Sequence, residues 1–259
     1  MKKLQIIFED SDILVLEKPA GLVVNRSQTQ KETLADLVGE YLRLEIPDAR
    51  YQMSGDFLER SGIVHRIDKD TSGVVLAAKN PVAFENLQAQ FLKREVEKEY
   101  LCLCHGIIAK DRGEITGTIG RLGSGKFGIL EGGREAVTKY QVIQKSKLKS
   151  QKFEELISTF GKKLKAFFEK EARDYTYLQV FPKTGRTHQI RVHLKSINHP
   201  IVSDPLYLGR RLIKFDAKFC PRLFLHAARI KFFHPKDGKE VEFTSSLPAD
   251  LQKVLEQLK

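Results

Sequence analysis

Apolar residues along this chain fall in short blocks or alternate more often than they recur at helical spacing. Residues 4–8 and 13–17 are two such blocks, separated by a polar turn and followed by Lys18-Pro19-Ala20-Gly21, a second turn. Leu22-Val23-Val24 reads as a third extended piece. Between 33 and 44 the pattern changes: Leu34, Leu37, Val38, Tyr41 and Leu42 share one helical face, and Pro47 ends that helix. Asn80 before Pro81 predicts a capped helix start. That helix runs to about residue 94, with Phe84, Leu87, Gln88 and Phe91 on one side. Extended segments are then predicted at 99–108, 114–120, 136–143, 175–181, 187–194 and 223–233, and a closing helix at 248–258.

Strands in runs with few helices between them predict an α+β fold: a largely antiparallel mixed β-sheet with flanking helices and a central cleft. No repeat and no long polar linker divides the 259 residues, so a single domain is expected. One segment, about 145–172, looks inserted. It carries eight lysines between Lys145 and Lys170, while Phe153, Leu156, Ile157, Phe160, Leu164, Phe167 and Phe168 recur at roughly helical intervals. A solvated amphipathic helix covering the sheet is favoured slightly over an RNA contact.

Composition narrows the class. Lys and Arg exceed Asp and Glu by 44 − 33, a net charge of +11, which favours a polyanionic partner through phosphate neutralisation. No apolar run approaches the ~20 residues of a membrane helix, and the N-terminus turns acidic too soon for a signal peptide. Three cysteines do not make a disulfide framework, so a reducing cytoplasm is expected.

The chemistry concentrates in His65-Arg66-Ile67-Asp68-Lys69-Asp70-Thr71-Ser72-Gly73. Apolar runs on both sides, 62–64 and 74–78, read as short buried strands, which places Asp68 on the connection between them. An aspartate held beside cations stays ionised and can serve as nucleophile or base. Taken alone, such a turn reads equally as a structural ion pair. A second run, Thr184-Gly185-Arg186-Thr187-His188-Gln189-Ile190-Arg191-Val192-His193, is read as a turn followed by a strand. On that strand Gln189, Arg191 and His193 form the polar face. Arg191 there could pair bidentately with a carboxylate.

Other constellations carry less. Residues 120–127 nearly match a P-loop, but Phe127 stands where a magnesium-binding hydroxyl is needed, and a basic hairpin loop around Lys126 fits better. Cys102 and Cys104 share one face of a strand and are expected in the core. His105 and Cys220 do not complete a zinc site, and His188 and His193 are expected on opposite strand faces. No metal is therefore expected.

The first run resembles the catalytic motif of the RluA-type pseudouridine synthases, His-Arg-Leu-Asp-x-x-Thr-Ser-Gly, with Ile67 as the one departure. The resemblance extends through Glu9 to Val24, Lys98-Glu99-Tyr100-Leu101, Gly133 to Tyr140, Thr184 to Leu194, His199 to Gly209 and Leu225-His226-Ala227. It implies isomerisation of uridine to pseudouridine in structured RNA, ribosomal or transfer, with base flipping and without cofactor or metal. It makes Asp68 the essential carboxylate, has Tyr100 lie against the base and take part in proton removal at C5, and has Arg191 hold Asp68 ionised. Arg66 is implied to fill the space the flipped uridine leaves, with Lys126, Arg186 and His188 as further RNA contacts. An S4-like module is expected to be absent and the protein to be a monomer. Two other readings remain, a catalytically silent RNA-binding protein on the same fold and an aspartate-dependent glycosidase.

Overall fold

The computed structural model describes residues 4–25, 32–45 and 55–259. Their elements, in chain order, are β1 (Gln5–Glu9), β2 (Ile13–Lys18), α1 (Leu34–Glu45), α2 (Asp56–Glu59), β3 (Ser72–Ala78), α3 (Pro81–Lys93), β4 (Glu97–His105) and β5 (Arg112–Arg121). There follow β6 (Phe127–Ile129), β7 (Arg134–Lys147), α4 (Ser150–Ser158), α5 (Lys162–Glu171), β8 (Asp174–Pro182) and α6 (Gln189–Ser196). The last are α7 (Arg210–Asp216), β9 (Leu225–Phe233), β10 (Glu240–Thr244) and α8 (Ala249–Leu255). The result is the expected α+β fold, a mostly antiparallel sheet with flanking helices. No described helix is long and apolar enough to cross a membrane.

Local chemistry explains the helix starts. Thr33 and Asp36 cap α1 reciprocally: the Thr33 amide donates to Asp36 Oδ2 (3.0 Å) and the Asp36 amide to Thr33 Oγ1 (3.3 Å). Asn80 Oδ1 accepts the Ala83 amide (2.9 Å), and Pro81 opens α3, which ends at Arg94 in the left-handed region. Pro47, the expected end of α1, lies outside the described residues. Leu22–Val24 is not a strand; the carbonyls of Val23 and Val24 instead accept the amides of Leu34 and Ala35.

Backbone contacts divide the chain into two compact units. The first comprises Met1–Lys98 and Ala227–Ser246. Here β1, β2 and β3 pair antiparallel in sequence, with Lys18 opposite Gly73, and β10 pairs antiparallel with β9. Every residue of β3 is buried, so the strand shows no alternation. The expected strand at 62–64 is reduced to one bridge, Ile63 to Ala77. Gly73 has φ +118° and lies so close to the next chain segment that a Cβ would stand 2.2 Å from the Ala227 carbonyl oxygen. Only glycine meets both conditions.

The second unit comprises Glu99–His226 and Leu247–Lys259. Its strand order is β4-β8-β7-β5-β6, antiparallel throughout. Residues 122–126 close the β5–β6 hairpin, as expected. The lysine-rich segment forms two helices separated by Gly161, and Phe153, Leu156, Ile157 and Phe168 bury its apolar side. Phe168 stacks at 4.8 Å on Phe215 of α7. Cys102 and Cys104 are fully buried, and burial pushes the Cys104 thiol up to about 12.

The expected strand at 187–194 is instead the helix α6. His188 adopts the left-handed conformation (φ 55°) and turns the chain. Gln189 then anchors the first turn, accepting from the Arg186 amide (3.0 Å) and Thr184 Oγ1 (2.6 Å) and donating to the Val137 carbonyl and Thr138 Oγ1. All six residues from Gln189 to Leu194 are buried. The polar and apolar positions therefore do not alternate between solvent and core, and the period-2 pattern carried no information about the backbone. The elements α2, β6, α7 and β10 had no sequence signal strong enough to predict them.

Candidate active site

In the first unit, Asp68 sits on a turn closed by the Thr71 amide donating to the Asp68 carbonyl (3.2 Å). Ile67 is buried and pins the turn to the core, Asp68 is half-buried, and Arg66 and Lys69 on either side are exposed. A buried cation holds this turn from behind. The ammonium of Lys18, with its side chain fully buried, donates to the carbonyls of Pro19 (2.9 Å), Leu22 (2.8 Å) and Lys69 (3.0 Å). The Gly21 amide donates to the same Lys69 carbonyl (2.8 Å). A lysine can be buried this way only because carbonyl oxygens replace its water. Lys18-Pro19-Ala20-Gly21 is thus the brace of the Asp68 turn.

His65 braces the other side. Its Nε2 accepts the Leu76 amide (3.0 Å), its ring stacks on Phe91 (4.9 Å), and desolvation with Lys98 nearby pushes its pKa down to about 3. His65 is therefore a neutral acceptor at neutral pH, with its proton on Nδ1. It is a structural member of the motif.

The second unit holds Tyr100 and Arg191. Tyr100 lies on β4 opposite Val180, half-buried at the edge of the large apolar core. Arg191 is buried in α6, where Nε and Nη2 donate to Oδ2 and Oδ1 of Asp204, each at 2.8 Å. This is the bidentate pairing that the sequence allowed for Arg191, reached from a helix instead of a strand. Asp204 Oδ1 also accepts the amides of Leu206 (2.8 Å) and Tyr207 (3.0 Å). The same carboxylate therefore fixes the Tyr207 loop, and the Arg191 guanidinium lies 5.2 Å from the Tyr207 ring centre.

Two of the expected RNA contacts converge on that loop. His188 Nδ1 is 2.9 Å from the Tyr207 hydroxyl, and Lys126 donates to the Leu206 carbonyl (2.9 Å). Phe127 packs edge-on against His188, and the Arg121 guanidinium lies 5.5 Å from its ring centre. Arg186 is elsewhere in the unit, its Nε donating to the Glu135 carbonyl (3.0 Å). His193 does not share a surface with His188; it is buried, its Nδ1 is 2.9 Å from Thr138 Oγ1, and burial lowers its pKa to about 4. Asp68 and Arg66 thus share one turn of the first unit, and Lys126, His188 and Arg191 share the Tyr207 loop of the second.

Lys18, Asp204 and Tyr207 were missed as site residues by sequence reasoning. A lysine closing the apolar run 13–16 was a signal for Lys18, since a buried cation requires acceptors. Nothing local marked Asp204. Among the described residues, no three His, Cys, Asp or Glu side chains gather as a metal site.

Comparison with known proteins identifies the family. The sequence profile of RNA pseudouridylate synthase matches residues 12–196. The chain is 34% identical to an uncharacterized RNA pseudouridine synthase of Bacillus subtilis, over 99% of this chain and 73% of that protein. It is also 34% identical to ribosomal large subunit pseudouridine synthase D of Pseudomonas aeruginosa, over 99% and 72%. Human RNA pseudouridylate synthase domain containing 4 shares the fold, with a TM-score of 0.69 at 20% identity, covering 98% of this chain and 94% of that one. With the profile spanning both the Asp68 turn and the Arg191 helix, and such relatives aligned along nearly the whole chain, this protein belongs to the RNA pseudouridine synthases of the RluA type, isomerases that convert uridine to pseudouridine in RNA.

Proposed function

We propose that the chain isomerises uridines of ribosomal RNA, with Asp68 as the carboxylate on which the reaction depends. In the reaction the bond from ribose C1′ to N1 breaks, the base turns, and C1′ bonds to C5. C5 loses its proton and N1 gains one, so no atom is added and no electrons leave. Tyr100 takes part in removing the C5 proton, and Arg191 supplies the positive charge beside the reacting groups. Arg66 occupies the stack the flipped base vacates, because a base inside a helix is out of reach until it is extruded. Lys126, Arg186 and His188 contact the RNA backbone.

The observation carrying this reading is the brace of Lys18 on the Asp68 turn: its ammonium ties the Lys69 carbonyl of that turn to the Pro19 and Leu22 carbonyls of its own loop, behind a half-exposed carboxylate. A rigid support of this kind suits a reacting group. The ribosomal target is supported by relatives named for the large ribosomal subunit, including synthase C of Vibrio cholerae at 34% identity over 98% of this chain. Tritium release from RNA labelled at uridine C5 tests the chemistry, comparing wild type with Asp68→Ala on ribosomal and transfer RNA. Release from transfer RNA alone would overturn the ribosomal assignment, and release by the alanine variant would overturn the role of Asp68. We place the protein in the cytoplasm as a monomer, with its three buried cysteines as thiols. Gel filtration with RNA absent tests the oligomeric state.

A further inference from the structure

Two sets of cations in the second unit differ in their partners. Lys139, Lys145, Lys147 and Lys152 each stand between 2.7 and 3.6 Å from a carboxylate. Lys162 and Lys163 of α5, Arg210, Arg211 and Lys214 of α7, and Lys218 just beyond it are all exposed. Among the described residues, none of these six side chains makes an ion pair or a hydrogen bond.

The two helices pack on each other, and two of these cations lie against aromatic rings of the lysine-rich segment. Phe168 of α5 packs on Phe215 of α7, Arg211 lies 5.2 Å from the ring centre of Phe167, and the Lys218 ammonium lies 5.2 Å from that of Phe160. The aromatic rings support the stems of Arg211 and Lys218 while their heads stay in water. The acids of the two helices pair with none of the six: Glu171 stands beside Lys170 (3.8 Å), Asp216 is buried against His105, and Glu169 of α5 is exposed. Lysines in the first turn of α5 also oppose the helix dipole, so they do not serve the helix itself.

We propose that the α5–α7 surface grips the phosphate backbone of the RNA substrate, as a binding surface that takes no part in the chemistry. The inference rests on the reading that this enzyme's substrate is RNA. Unpaired, exposed cations on a fixed scaffold suit a regularly spaced polyanion, where each contact releases a counterion. A membrane surface suits it less, because neither helix presents an exposed large apolar side chain for insertion.

The test compares three full-length proteins: wild type, the patch variant K162Q/K163Q/R211Q/K214Q, and the control K139Q/K145Q/K147Q/K152Q, which loses the same net charge. Each is titrated by fluorescence anisotropy with a ribosomal RNA fragment at several salt concentrations. The patch variant is expected to bind at least tenfold more weakly at low salt, with the slope of log K against log salt reduced by about three, at 0.7–0.9 per phosphate contact. Its turnover on saturating RNA and its melting temperature are expected to be unchanged. An unchanged slope overturns the proposal, as does an equal loss in the control. Loss of binding only to phosphatidylserine vesicles, or only to an acidic polypeptide such as polyglutamate, overturns it in favour of that partner. An Asp68→Ala protein tested in parallel separates the two readings, since activity in that variant would undo the site assignment and leave the binding result standing.

Discussion

Arg191 and Asp204 form a side-on pair, Nε to Oδ2 and Nη2 to Oδ1 at 2.8 Å each, with both side chains sealed from solvent. The pair fixes the plane of the guanidinium, and through Oδ1 it also sets the Leu206–Tyr207 backbone. Arg191→Lys is therefore expected to cost both stability and turnover. A lysine keeps the charge but cannot span two oxygens in one plane, so the side-on pairing is lost. Asp204→Asn is expected to lower turnover as well, because it keeps the shape and loses the charge. Chemical denaturation beside single-turnover kinetics checks both. A lysine variant with normal turnover would make Arg191 purely structural.

Asp68→Asn is expected to abolish isomerisation while leaving RNA affinity and melting temperature near wild type. The turn is held by backbone contacts and by Lys18, none of which the substitution removes. Tyr100→Phe is expected to lose most turnover too. Tritium release, with binding measured separately, decides both cases; activity above a few per cent in the Asp68→Asn protein would contradict the assignment.

Lys18→Met replaces the ammonium with a side chain of similar length that donates nothing. The carbonyls of Pro19, Leu22 and Lys69 lose their shared donor, and bonds to a charged group contribute about 1.5–3 kcal/mol each when intact. The expected result is a clearly lowered unfolding midpoint together with reduced turnover, although Lys18 is not proposed to touch the substrate. A methionine variant with wild-type kinetics would show that the brace is dispensable.

Acid is expected to destabilise the fold in a defined window. His65 has its pKa lowered from 6.5 to about 3, chiefly by desolvation. Between those values the unfolded chain takes up a proton that the folded protein refuses, so stability is complete above about pH 6.5 and declines as pH falls toward 3. The slope from one such group is at most about 1.4 kcal/mol per pH unit. His193, lowered to about 4, adds in the same direction. His65→Gln, whose amide oxygen can accept the Leu76 amide, is expected to flatten the dependence in urea titrations between about pH 4 and 7.

The fold class was legible because strands and capped helices leave local marks. Asn80-Pro81 set the start of α3, and the short apolar blocks set β1, β2 and β3. The Gly62–Val64 strand and the 187–194 strand were misread for different reasons. The first has only one bridge to make, at Ile63, and the second is buried on every side, so its pattern reflects packing and has no period to read.

By itself the sequence determined where charge falls along the chain and marked the candidates: Asp68 on a turn beside apolar runs, Arg191 inside a polar and apolar run, and an excess of cations suited to RNA. Only the tertiary structure decided what holds them. Lys18 meets Lys69 across 51 positions, and Arg191 meets Asp204 from a helix. Such pairings follow from desolvation: a buried charge must find oxygen or nitrogen partners wherever the folded chain brings them, and distance along the sequence does not enter.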